Sequence, residues 1–492
     1  MSDLCYQSID QLQKLLAQGE ISSTELTEAF LNRIEKIDPK INSFITVTKD
    51  LALKMAKEAD QRIKRKEKLT PLTGIPLGIK DLFITEGIKT TAGSKFLENF
   101  VPPYESTATK KLKEAGVVFL GKLNLDEFAM GTTTETSYFG KTHNPWNLKR
   151  IPGGSSGGSA AAVSAGLCAG ALGTDTGGSI RQPASHCSIV GIKPTYGRVS
   201  RFGVIAYASS LDQVGPMART VMDSAYLLQI ISGKDSCDST SVNKPVPNYV
   251  EILKKSKGLK GVNLGIPKQF VKPVIGKIDS EVLSIFEKGV DKIKELGAKV
   301  EEVDLPHCGY AISTYYIIAP AEASSNLARY DGLRYGIRSK NAKTLAETYT
   351  KSRAEGFGTE VKRRILLGTY VLSAGYYDAY YLKALKVRHH IANDFKKAFE
   401  KYDALISPVT PNLPFPLGEE QSDPVKVYLS DMFTTAVNLA GLPGLSVPCG
   451  FSSEGLPVGL QIIGPAFQEE VVLKIAHDFE QGTKFYQKHP NL

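Results

Sequence analysis

Two stretches carry the strongest signal in this chain: Ile151-Pro152-Gly153-Gly154-Ser155-Ser156-Gly157-Gly158-Ser159, and Gly173-Thr174-Asp175-Thr176-Gly177-Gly178-Ser179-Ile180-Arg181. The first predicts a glycine-rich entry into a small-residue helix near Ser159 to Ala165. The second continues a predicted extended run, Ala169 to Gly173, into a turn built of glycines around a serine. Glycine has no Cβ, so backbone N–H groups can converge on one small volume beside such a serine. An oxyanion hole has that construction.

Working outward, helix and strand signals alternate. Ser22 and Glu25 form a capping box ahead of Leu26, Phe30, Leu31, Ile34 and Ile37, apolar positions on one helical face. A second helix is predicted over about Leu51 to Lys68, then a strand through Ile75, Leu77 and Ile79. A helix at Thr107 to Ala115 and a strand at Val117 to Leu120 follow. Later strands are predicted near Val262 to Ile266, Lys299 to Val303, Ala404 to Ile406, Leu445 to Val447 and Val458 to Ile463. Long helices are expected at about Tyr376 to Tyr402 and Glu469 to Gln481. The alternation predicts an α/β fold, a central mixed sheet covered by helices on both faces. Residues Ser232 to Asn248 read as the connection between two lobes, with one continuous sheet and two separate domains both open.

Composition narrows the class. The 492 residues are 42% hydrophobic and 23% charged, as in an ordinary globular chain, and the net charge of +9 permits an anionic partner without demanding one. The basic stretch Arg62 to Lys68 reads as a solvated helix face. Six scattered cysteines form neither a zinc pattern nor a disulfide framework, and they predict reduced thiols in a cytoplasmic setting. No signal peptide or run of about 20 apolar residues is evident.

The chemistry turns on a serine. A phosphate-binding loop is disfavoured because G-x-x-x-x-G-K-[ST] is absent. Gly153-x-Ser155-x-Gly157 has the form of a nucleophile elbow, but the preceding His143 to Pro152 is a poor strand, and close backbone packing explains the glycines equally well. Among the seven histidines only His186 lies in the second motif, with no local carboxylate to orient it. The other base available to a serine is a desolvated lysine. Lys80, at the end of an apolar strand, fits that role. It fits equally a strand-end lysine that snorkels and pairs with Asp81.

The glycine-serine run, the segment Gly173 to Pro183 and the strand Gly74 to Lys80 together resemble the amidase signature family over most of the chain. The resemblance implies that Ser179 is the nucleophile, Ser155 a bridging serine on a cis peptide, and Lys80 the base. It places the oxyanion among the N–H groups of Thr176, Gly177, Gly178 and Ser179, with Asp175 and Arg181 as a structural ion pair. It also implies one amidase domain over 1–492, with a helical N-terminal region (1–70), a catalytic core (71–235) and a second part of the sheet with the substrate pocket (236–492). Asn124 to Gly131, Gly356 to Arg364 and Ser373 to Tyr381 resemble the subfamily formed by the A subunits of tRNA-dependent amidotransferases. That likeness implies hydrolysis of L-glutamine, bound by Tyr315, Arg364 and Asp431. The ammonia would go to Glu-tRNA(Gln) or Asp-tRNA(Asn) on a B subunit that handles ATP, Mg²⁺ and tRNA, with a small C subunit completing a heterotrimer. No cofactor or metal is expected in this chain. His186 and Ser188 stand where the family usually has phenylalanine and glycine. Two rivals remain: a stand-alone amidase of small or fatty amides, with no use for Arg364 and Asp431, and an RNA-binding scaffold, with no use for the serines.

Overall fold

The computed structural model describes residues 4–273, 276–419 and 424–492. Among them, eleven strands form one sheet: β1 (Phe44–Val47), β2 (Pro76–Lys80), β3 (Val118–Leu123), β4 (Gly170–Asp175), β5 (Val190–Lys193), β6 (Gln213–Ala218), β7 (Asn263–Pro267), β8 (Lys299–Val303), β9 (Ala404–Pro408), β10 (Gly444–Phe451) and β11 (Pro457–Ile463). Their spatial order is β1-β3-β2-β4-β6-β5-β10-β11-β9-β7-β8. β2 runs parallel to β3 and β4, and β7 runs parallel to β8 and β9. The pairs between β4 and β9 across the middle are antiparallel. The sheet is therefore continuous across the connection at 232–248.

Strand alternation feeds two cores, one on each face. Ile406 and Ile462 enter the core built with the N-terminal helices, whereas their neighbours Leu405 and Ile463 enter the core that holds Tyr315, Phe395 and Phe433. The Ser22 capping box is formed, with Glu25 N–H donating to Ser22 Oγ at 3.1 Å and Ser22 N–H to Glu25 Oε2 at 2.8 Å. It starts a helix, Ser23–Ile41, that buries Leu26, Phe30, Leu31, Ile34 and Ile37.

Three strands lay outside the sequence expectation. β1 is a four-residue edge strand between the first two long helices. β5 and β6 are short and broken by glycine or proline. Pro216 is tolerated inside β6 because the β5 ladder covers only Val190–Ala218 and Gly191–Met217. The long helix expected from Tyr376 instead opens as a π-turn, Tyr377–Leu382, before Lys383–Ala398. The segment 233–248 carries no helix or strand but is tied down. Val242 N–H donates to the Gly197 carbonyl at 2.9 Å, and Arg198 Nη1 donates to the Pro245 carbonyl at 2.8 Å. The six cysteines are free thiols, and among the described residues no helix is long and apolar enough to cross a membrane.

At the C-terminal end of β2, Asp81 pairs with Lys122 of β3, Nζ to Oδ1 at 3.0 Å, both wholly buried. Lys122 Nζ also donates to Thr90 Oγ1 at 2.6 Å and to the Phe83 carbonyl at 2.8 Å. Removing one member of such a pair leaves the other buried without its counter-charge, at a cost of about 3–5 kcal/mol. Lys122→Met is expected to lower the unfolding midpoint in urea accordingly.

Candidate active site

Lys80 ends β2, and Thr174 lies near the end of the parallel strand β4, so both side chains emerge at the same edge of the sheet. Lys80 is fully buried. Its Nζ lies 2.8 Å from each of three hydroxyls, Ser155 Oγ, Ser156 Oγ and Thr174 Oγ1. It makes no ion pair among the described residues, and Asp81, its sequence neighbour, is held by Lys122. Burial pushes the Lys80 ammonium down to about 7, with Asp126, Asp175 and Asp212 opposing from a distance.

The hydroxyls are not equivalent. Ser156 Oγ donates to the Thr174 carbonyl at 3.1 Å, so it can only accept from Lys80. A neutral amine has two N–H bonds and one lone pair. With one N–H committed to Ser156, the lone pair and the second N–H are left to Ser155 and Thr174.

Ser155 precedes the helix Gly157–Ser164, and the Gly154–Ser155 peptide is cis. Backbone packs closely on both sides of this run: a Cβ on Gly154 would collide with Asp126 Oδ2, and one on Gly158 would collide with the backbone of Asn124. No strand precedes Ser155, which removes the nucleophile-elbow reading. Ser156 N–H donates to the Ser179 carbonyl at 3.2 Å, binding the two glycine-serine loops together.

Ser179 sits in the turn between β4 and the helix Arg181–His186. Among the described residues, the N–H groups of Gly177, Gly178 and Ser179 donate to no protein acceptor. The turn is held from below by a buried ion pair. Arg181 Nε and Nη2 each donate to Asp175 at 3.0 Å, and Asn438 Nδ2 adds a bond to Asp175 Oδ1 at 2.8 Å. Burial alone would raise the Asp175 carboxyl, but the Arg181 guanidinium outweighs it and holds Asp175 at about 2.

The three residues that the resemblance assigns to a substrate pocket, Tyr315, Arg364 and Asp431, lie in the other half of the chain. Tyr315, on the helix Ala311–Asn326, packs against Gly177, where an added Cβ would lie 2.6 Å from the Tyr315 ring. Arg364, on Thr359–Val371, is buried, while Arg363 is half exposed. Its Nε donates to Glu360 Oε1 at 2.8 Å and its Nη1 to Tyr207 Oη at 2.7 Å, and its guanidinium lies over the rings of Tyr207, Tyr316 and Tyr428. Asp431 does not cap the following helix Thr435–Leu439. Its Oδ1 is buried with no hydrogen-bond partner among the described residues, and burial drives the carboxyl well above the usual range while Arg364 draws it down. Thr434 Oγ1 joins pocket to turn, donating to the Gly177 carbonyl at 2.5 Å.

His186 has no part in this arrangement. Its ring is buried beside the Asn412 backbone, and burial lowers the imidazole to about 4, so it is neutral and no carboxylate orients it. Ser188 has φ +55°, the left-handed conformation that glycine adopts without strain.

A model of the family described as Amidase matches residues 25–473. The chain belongs to the amidase family. It is 57% identical over 485 residues, 99% of each chain, to the A subunit of the glutamyl-tRNA(Gln) amidotransferase of Geotalea daltonii. The crystal structure of the corresponding A subunit, that of the glutamyl-tRNA(Gln) amidotransferase from Thermotoga maritima, superposes with a TM-score of 0.81 at 44% identity, covering 97% of this chain and 95% of that one. The native peptide amidase from Stenotrophomonas maltophilia gives 0.82 at 32% identity, covering 99% and 98%. Two of the three segments that carried the subfamily likeness meet in space: Glu127 Oε2 accepts the Gly358 N–H at 2.8 Å, at the start of the helix that bears Arg364.

Sequence reasoning missed Ser156 and Thr174 as partners of Lys80, and Tyr207, Glu360 and Thr434 as supports. Ser156 adjoins a residue already singled out, and Thr174 lies in the second glycine-serine motif. Tyr207 and Thr434 had no local signal, since only tertiary structure brings them in. Because Tyr315 fills the space beside Gly177, Gly177→Ala is expected to displace the turn. Hydrolytic activity then falls by about 10²-fold, as a misplacement near 1 Å costs, while circular dichroism stays unchanged.

Proposed function

We propose that the chain is the glutaminase subunit of a tRNA-dependent amidotransferase, hydrolysing L-glutamine to glutamate and ammonia. The observation that carries the hydrolytic chemistry is a fully buried Lys80 facing three hydroxyls and no carboxylate. Ser179 Oγ attacks the side-chain amide carbon of glutamine, its proton passes to Ser155, and the Ser155 proton passes to the lone pair of neutral Lys80. Charge collects on the carbonyl oxygen, which the N–H groups of Thr176, Gly177, Gly178 and Ser179 receive. Collapse breaks the C–N bond, with Ser155 returning a proton to the departing nitrogen, and leaves a γ-glutamyl ester on Ser179. Water repeats the sequence and releases glutamate.

The pocket suits a free amino acid better than a fatty amide. Arg364 can grip an α-carboxylate, and an α-ammonium beside Asp431 returns its carboxyl to the ionised form by direct attraction. Tyr315 closes the space between pocket and turn. The relatives' designation as A subunits supports partner chains: a B subunit that receives the ammonia, with ATP, Mg²⁺ and tRNA as its ligands, and a C subunit. Glu-tRNA(Gln) is the acceptor in this reading.

Two measurements test it on the full chain co-expressed with its native partners. Lys80 acts only as the neutral amine, so log kcat/KM for glutamine should climb with slope one below about pH 7 and level above it. Ser179→Ala should abolish turnover, and Lys80→Ala should lose the pH-dependent limb with most of the rate; full activity in Lys80→Ala sinks the relay. Arg364→Ala should raise KM for glutamine by about 10–100-fold, the worth of a charge-assisted bond. An unchanged KM sinks the pocket assignment.

A further inference from the structure

One polar atom of the pocket remains without a role. Tyr316 Oη is buried and has no hydrogen-bond partner among the described residues, a condition it shares with Asp431 Oδ1. A buried hydroxyl without a partner is costly in any fold, and one that persists calls for an explanation. Its surroundings are those of the substrate pocket. The Arg364 guanidinium lies 5.5 Å from the Tyr316 ring centroid, the Tyr428 ring packs at 4.6 Å, and Tyr315 meets it edge-on at 5.1 Å. The ring is thus clamped between the residue that faces Gly177 and the residue read as the carboxylate anchor. Arg364 and Asp431 are also the charged groups that act most strongly on its hydroxyl, and burial keeps that hydroxyl protonated. It is therefore a donor, fixed in place and close to a cation.

We propose that Tyr316 is a further substrate-binding residue, whose hydroxyl donates a hydrogen bond to the α-carboxylate held by Arg364. This rests on the reading of Arg364 as the anchor of a free amino acid. It assigns discrimination against plain amides to two donors of different kinds. The guanidinium supplies charge, and the phenol supplies a direction that a carboxylate accepts and a methylene cannot. The resemblance singled out Tyr315 and left its neighbour Tyr316 without a role. They adjoin on one helix, but Tyr315 points to the turn and Tyr316 to the Arg364 guanidinium.

Tyr316→Phe tests this in the full chain with its native partners, because the ring contacts to Arg364, Tyr428 and Tyr315 survive and only the hydroxyl is lost. KM for glutamine should rise about tenfold or more with kcat changed less than threefold. The penalty should vanish with the decarboxylated analogue of glutamine, which keeps the amine and the amide. An unchanged KM for glutamine overturns the proposal, as does an equal penalty on the analogue. A parallel Arg364→Ala variant separates the two levels. If it raises KM while Tyr316→Phe does not, Tyr316 is merely packing and the pocket stands. If neither changes KM, the pocket reading itself has failed.

Discussion

An ammonium carried wholly out of water costs several kcal/mol, and proteins normally meet that cost with a carboxylate. At Lys80 the partners are three hydroxyls instead, and the nearest sequence carboxylate, Asp81, is taken by Lys122. The consequence is a lysine near its titration point rather than a fixed cation. Everything about the surrounding architecture serves that condition: β2 and β4 run parallel so that Lys80 and Thr174 leave the sheet together, and the glycine-serine loop covers the amine from solvent.

That cover demands glycine. The loop at 153–158 passes so close to Asp126, Asn124 and Thr134 that side chains at Gly154, Gly157 or Gly158 would occupy the same space as those residues. Close packing and catalysis therefore describe one feature. The glycines bring the loop down, and the descent is what places the hydroxyls of Ser155 and Ser156 on Nζ. Asp175 and Arg181 do the corresponding work beneath the Ser179 turn. Their pair is buried, and its remaining hydrogen-bonding capacity is met by Asn438 and Gln461, so it fixes the turn without leaving an uncompensated charge.

How much of this was legible in the sequence follows from range. The strand at Ile75 to Ile79, the capping box at Ser22 and the strands near 262, 299, 404, 445 and 458 were readable because their signal is local periodicity. β5 and β6 were not, because a strand of four residues, or one holding Pro216, becomes a strand only by being paired. The same division holds in the site. Ser155 and Ser179 stand in conspicuous glycine runs, and Lys80 was marked by an apolar strand, although its choice over an Asp81 pair needed the burial that only the structure supplies. Arg364 is buried and Arg363 half exposed, a difference between neighbours that only the packing of their helix decides. Glu360 meets Arg364 from one turn earlier on the same helix, whereas Tyr207 and Thr434 act by tertiary contact, and their roles become visible only when distant segments are brought together.

The pocket and the nucleophile belong to different parts of the chain, which raises the question of how recognition reaches the reacting atoms. Tyr315 packs against Gly177 and Thr434 against Gly178, with Thr434 also bonded to the Gly177 carbonyl. Thr434 further accepts, through its own carbonyl, a hydrogen bond from Arg181 Nη1 at 3.2 Å, so the segment that carries Asp431 is stapled to the ion pair beneath the turn. A peptide unit fixed by its carbonyl has its N–H direction fixed too, since both lie in one plane. Anchoring the Gly177 carbonyl to the Asp431 segment therefore sets the aim of the Gly178 N–H, one of the donors assigned to the oxyanion. Under the proposed function, substrate binding and charge stabilisation then share one frame, the segment that carries Asp431 and the turn that carries Ser179.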